Sequence, residues 1–69
     1  MKLSARNVLP GTITEIIRGA VNAHVRIDLG GSIVTASITN EAVTDLDLKV
    51  GDKAMAVIKA TDVMVGKPD

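Results

Sequence analysis

Between residues 20 and 39 the chain keeps a strict two-residue rhythm, broken once. Val21, Ala23, Val25, Ile27 and Leu29 alternate with Asn22, His24, Arg26 and Asp28; Gly30-Gly31 interrupts; then Val34, Ala36 and Ile38 alternate with Thr35, Ser37 and Thr39. Side chains on a strand point to opposite faces in turn, so each run predicts a strand with one apolar and one polar face. A Gly-Gly pair between two such runs is a tight-turn signal. Residues 20–29 and 32–39 therefore form a hairpin, and the fold class is all-β.

The flanking segments add shorter pieces. Pro10-Gly11 separates a strand over residues 2–8 from a second over 12–18, and Arg18-Gly19 marks the turn into the third. Residues 40–46 are the one helical candidate, with Asn40 as the cap and Glu41 in the first turn, where negative charge suits the dipole. Ala42, Val43 and Leu46 would face inward, and Asp45 and Asp47 would be solvated turn residues. Leu48-Lys49-Val50-Gly51-Asp52 then turns the chain into a final strand over residues 53–61, followed by an extended piece over 63–65. Five or six short strands with one short helix before the last long one predict an OB-like small barrel.

Size limits how such a barrel is stabilised. A chain of 69 residues buries only about 60% of its unfolded surface. Small domains usually add disulfides, a metal or partner subunits. There is no Cys, a single His (His24), and no Phe, Tyr or Trp. Disulfides and thiolate metal sites are excluded, and oligomerisation is left to supply the missing burial. No apolar run approaches the roughly 20 residues of a membrane span. The first residues lack the apolar stretch of a signal peptide, so the expected location is cytoplasmic.

The same composition narrows function. No Gly-x-Ser-x-Gly elbow, phosphate loop, dinucleotide fingerprint or EF-hand loop is present. His24, on the polar face of a strand, reads as a surface residue, and no enzyme is expected. OB-like barrels often bind nucleic acid, but that needs stacking aromatics and a basic groove. Eight basic and eight acidic side chains cancel and aromatics are absent. What remains is a set of small donors beside isolated cations. Ser4-Ala5-Arg6-Asn7 gathers a hydroxyl, a guanidinium and a carboxamide; Lys59-Ala60-Thr61 places an ammonium beside a hydroxyl; Thr35, Ser37 and Thr39 line one strand face. A tetrahedral oxyanion is held by such groups together with backbone N–H donors. Ser and Thr are equally ordinary solvent-facing strand residues, and the residue types alone leave both readings open.

Four stretches carry a resemblance. They are Met1-Lys2-Leu3-Ser4-Ala5-Arg6-Asn7 with Gly11-Thr12-Ile13; Gly19-Ala20-Val21-Asn22-Ala23; Ala42-Val43-Thr44-Asp45-Leu46-Asp47-Leu48; and Val57-Ile58-Lys59-Ala60-Thr61-Asp62-Val63-Met64-Val65. Over nearly its whole length the chain resembles the molbindins, molybdate- and tungstate-binding proteins of the TOBE/Mop domain family. Related modules form the C-terminal part of molybdate-responsive regulators and molybdate-transporter ATPases; here the module is expected to stand alone, as one domain over residues 1–69. The resemblance implies an OB-like barrel that exchanges its N-terminal strand within a dimer, three dimers forming a homohexamer. It implies molybdate or tungstate as the bound ligand at subunit interfaces, without catalysis or organic cofactor, for molybdenum storage, buffering or homeostasis. By position, a first class of oxyanion site would use Ser4, Arg6, Lys59 and the Ala60 N–H, completed by Thr39 from another subunit. Ala42 stands where related sites can have a Ser. A second class would involve Gly19, Val21 and Asn22, with His24 and Arg26 adjoining. Against these stand an OB-fold nucleic-acid binder and a purely structural assembly module.

Overall fold

A computed structural model describes residues 1–69. It contains four strands, β1 (Asn7–Arg18), β2 (Asn22–Asp28), β3 (Ile33–Thr39) and β4 (Lys53–Ile58), with one short helix, α1 (Asn40–Asp45), between the last two. All pairings are antiparallel and the sheet order is β3-β2-β1-β4. β3 and β4 do not pair, so the sheet curls into a half-barrel with one side open.

The central hairpin follows from its alternation. Ala23, Val25 and Ile27 of β2 are buried, while Asn22, His24 and Arg26 are exposed. Gly30 adopts a positive φ of 99°, and its N–H donates to Asp28 Oδ1 at 2.8 Å. A positive φ costs glycine no Cβ clash, which is why the turn falls here. Val21 lies outside β2 and is 69% exposed.

The N-terminal half departs from expectation. The two strands predicted over residues 2–8 and 12–18 are a single strand, β1, running through Pro10-Gly11. Its first half pairs with β4 (Asn7 opposite Ile58 to Thr12 opposite Lys53), and its second half pairs with β2 (Thr12 opposite Asp28 to Arg18 opposite Ala23). Pro10 is tolerated because β1 has a neighbour on one side only at that point. Gly11 permits the switch of partners: a Cβ there would lie 2.5 Å from the Asp28 carbonyl oxygen and 2.7 Å from Ile27 Cγ2. The pair bends the strand rather than breaking it.

A register shift between Ile13 and Glu15 inserts Thr14 as an extra residue. Side-chain phase flips across such a bulge. Ile13 is buried before it; after it Ile16, opposite Val25, packs on the core, while Ile17 is exposed.

The remaining corrections lie in the second half. The helix ends at Asp45, so Leu46 falls beyond it and is 66% exposed instead of facing inward. The last strand stops at Ile58; Ala60–Asp62 form a 3₁₀ turn, and Val63–Val65 are not a strand. The count is therefore four strands, not five or six. Asp47 keeps its solvated turn position, pairing with Lys49 at 3.2 Å.

The core is small: Ile13, Ala23, Val25, Ile27, Val43 and Ala56. Beside it, on the open side of the half-barrel, lies an apolar groove of about 410 Å³ whose lining includes Met1, Ile38, Leu46, Leu48, Met55 and Val57. Gly11→Ala should lower stability by about 1–3 kcal/mol, the usual range for overpacking, measured as a shift in the urea midpoint. An unchanged midpoint would mean that β1 has room to spare where it passes from β4 to β2.

Candidate functional site

The candidate residues fall into two groups at opposite ends of β1. At its start, the register places Asn7 opposite Ile58. Arg6, in a bend, and Lys59, at the start of the 3₁₀ turn, are the residues next outward from this last pair. The Asn7 carboxamide donates to the Ile58 carbonyl at 3.2 Å and closes this end of the ladder. Ser4, Arg6, Lys59 and Ala60 are all exposed. The 3₁₀ turn is built by the Asp62 N–H donating to the Lys59 carbonyl (2.9 Å) and the Val63 N–H to the Ala60 carbonyl (3.3 Å). The Ala60 N–H takes no part in it.

Electrostatics at this end are uncompensated. The two ion pairs of the chain are Arg26–Glu15 (3.4 Å) and Lys49–Asp47 (3.2 Å). Neither Arg6 nor Lys59 has a carboxylate partner. Two cations without carboxylate partners at one end of a strand pair, with a Ser hydroxyl and a backbone N–H in the same two segments, are the group types that suit a divalent oxyanion.

The second group surrounds the end of β1. Thr39, not Asn40, caps α1: its Oγ1 accepts from the Ala42 N–H at 3.0 Å. The cap shifts by one residue because Asn40 is engaged elsewhere. The Asn40 N–H donates to the Val21 carbonyl (2.8 Å) and its Nδ2 to the Gly19 carbonyl (2.9 Å). Arg18 Nη1 donates to the Asn40 carbonyl at 3.4 Å, and Thr44 Oγ1 donates to the same oxygen at 3.2 Å. Thr39 pairs with Asn22 across β2 and β3. One chain thus brings Thr39 and Ala42 together with Gly19, Val21 and Asn22. Ala42 offers no hydroxyl, and its N–H is already given to Thr39.

These two groups do not meet within a chain. The 12 residues of β1 cover about 36 Å along the strand's path, about eleven steps of roughly 3.3 Å, and α1 packs on β2 and β3 near its far end. His24 is exposed on the outer face, opposite Ile17 and Ser37, with Arg26 tied to Glu15 on the same face. A separate open cleft of about 500 Å³, lined by residues including Gly11, Thr12, Asp28 and Lys53, contains none of the candidates. The bracing roles of Asn40 and Arg18 have no local signal, since their partners lie about twenty residues away in sequence.

A curled sheet of four strands with one short helix before the last strand defines a small OB-like module. The TOBE domain family model matches residues 3–65, and the chain belongs to that family, in its molbindin group. A probable molybdenum-pterin-binding protein of Haemophilus influenzae is 51% identical over 67 residues, covering 96% of this chain and 97% of that protein. A molybdate-binding protein from Sporomusa ovata superposes with a TM-score of 0.92 at 46% identity, covering 97% of this chain and all of that one. The cytoplasmic molybdate-binding protein ModG, solved with molybdate bound, superposes with a TM-score of 0.91 at 51% identity; this chain spans about half of it. These relatives are binding proteins by name. No helix of this chain is long and apolar enough to cross a membrane.

Removing the Thr39 hydroxyl separates its capping role from any ligand role. Thr39→Ala should cost about 1 kcal/mol of stability in a thermal melt and Thr39→Ser almost nothing, because Ser caps at least as well. Equal losses would mean that the methyl group, not the hydroxyl, matters there.

Proposed function

We propose that this chain binds molybdate or tungstate at interfaces between copies of itself, serving intracellular molybdenum storage, buffering or homeostasis without catalysis. The observation that carries this is that Arg6 and Lys59 both lie just beyond the last β1–β4 pair, Asn7 with Ile58, without a carboxylate partner, at the far end of β1 from Thr39. A pocket using all three draws on more than one copy. The first class of site is Ser4, Arg6, Lys59 and the Ala60 N–H of one copy with Thr39 of another, Ala42 at its margin. The second is the turn of Gly19, Val21 and Asn22.

The same shape supports assembly. The groove on the open side and the exposed Val63, Met64 and Val65 leave apolar surface that a partner would cover. The proposed assembly is a homohexamer, a trimer of dimers with exchanged N-terminal strands.

Binding replaces the hydration shell of the anion with charge-assisted hydrogen bonds, each contributing about 1.5–3 kcal/mol net. Discrimination against sulfate rests on pocket size, because charge and shape are the same. Discrimination against phosphate rests on the lack of a carboxylate to accept its proton. Relatives are named for a molybdenum-pterin, yet this chain has no Phe, Tyr or Trp to stack a pterin ring, which favours the bare oxyanion.

Arg6→Ala and Lys59→Ala should each weaken molybdate binding by roughly tenfold or more in calorimetric titration, with native mass unchanged. Tungstate should bind like molybdate, and sulfate much more weakly. Equal affinity for sulfate would overturn selection by size, and dissociation of either variant to monomers would assign those side chains to assembly instead.

A further inference from the structure

We infer that Asn40 is a positioning residue for the second site: it holds the Gly19 carbonyl away from the Asn22 N–H and so keeps that N–H free to donate to an anion. The ligand part of this inference rests on the anion-binding reading above; the hydrogen-bond part does not.

The geometry is that of a two-residue hairpin. Gly19, Ala20 and Val21 connect β1 to β2; Gly19 and Asn22 close the turn around Ala20 and Val21, the Gly19 N–H donating to the Asn22 carbonyl at 2.7 Å. In a tight antiparallel turn the closing pair exchanges two bonds, the second running from the Asn22 N–H back to the Gly19 carbonyl. That return bond is not formed. The Gly19 carbonyl instead accepts from Asn40 Nδ2 at 2.9 Å.

A second contact points the same way. The Asn40 N–H takes the Val21 carbonyl at 2.8 Å. In a trans peptide the C=O and the following N–H point in opposite directions. Fixing the Val21 carbonyl toward Asn40 therefore aims the Asn22 N–H away from it. Two carbonyls that would repel an anion are absorbed by one residue, and a donor is left over. The Arg18 guanidinium, donating to the Asn40 carbonyl, brings positive charge to the same junction. Asn40 Oδ1 is buried without a donor, a cost accepted at a site where the Nδ2 bond fixes which way the amide points.

This role has a signature that general destabilisation would not produce. In the native protein the Asn22 amide should exchange rapidly with solvent and become protected when molybdate is added. In Asn40→Ala the freed Gly19 carbonyl should capture the Asn22 N–H, so the amide is protected without any anion. Molybdate affinity at the second class of site, which uses this turn, should then fall by about tenfold or more, as for loss of a charge-assisted donor. If Asn40→Ala does not fold, Asn40→Asp, which keeps the shape but cannot donate to a carbonyl, is read in the same way. Unchanged Asn22 exchange in the folded variant overturns the positioning role. Altered exchange with unchanged molybdate affinity overturns its link to the ligand. A native protein that binds no molybdate at all instead removes the proposed function, while the exchange comparison still decides what Asn40 does.

Discussion

The close passage of β1 over the end of β2 at Gly11 organises this molecule. One strand serves two partners, β4 through its first half and β2 through its second, and the change of partner works only where backbone meets backbone without a side chain between. The Thr14 bulge then corrects the side-chain phase, so that Ile13 and Ile16 both reach the same small core. Because β1 is long, the cations at its start and the Thr39–Asn40 junction at its end are kept apart. That separation is why the proposed binding pocket is assembled between copies.

Two kinds of hydrogen bond do different work at these ends. At the start of β1, Asn7 closes the ladder, and the cations beyond it carry no internal partner. At the end, Asn40 absorbs carbonyls of the neighbouring turn. The proposed anion sites rest on one principle at both ends: groups that would repel an anion are engaged, and groups that would hold it are left unengaged. Only six residues are buried in the core. Such a core is marginal for a chain of this length, so covering the apolar groove and binding an anion would both add stability to the assembled form.

What could be read from the sequence was local. The β2–β3 hairpin, with its Gly30 turn, follows from alternation within twenty residues. Pro10-Gly11 misleads because breaker chemistry is a local rule, while the reason for Gly11 is the Asp28 carbonyl on another strand. Leu46 sits in phase with the inward face of α1, but the helix ends one residue earlier. Thr39 and Asn40 are both good caps, and the choice between them is made by Gly19 and Val21, about twenty residues upstream. Arg6 and Lys59 are each visible as isolated cations beside small donors. That both follow directly on the last β1–β4 pair, Asn7 with Ile58, is a matter of strand register, which no spacing in the sequence records.

The central claim is that anion and assembly belong together. The most direct measurement is elemental analysis of protein exposed to molybdate and passed through gel filtration, read beside its native mass. The account predicts molybdenum retained in a fixed ratio by an oligomer. Protein that retains no molybdenum, or a monomer that retains a full complement, would contradict it.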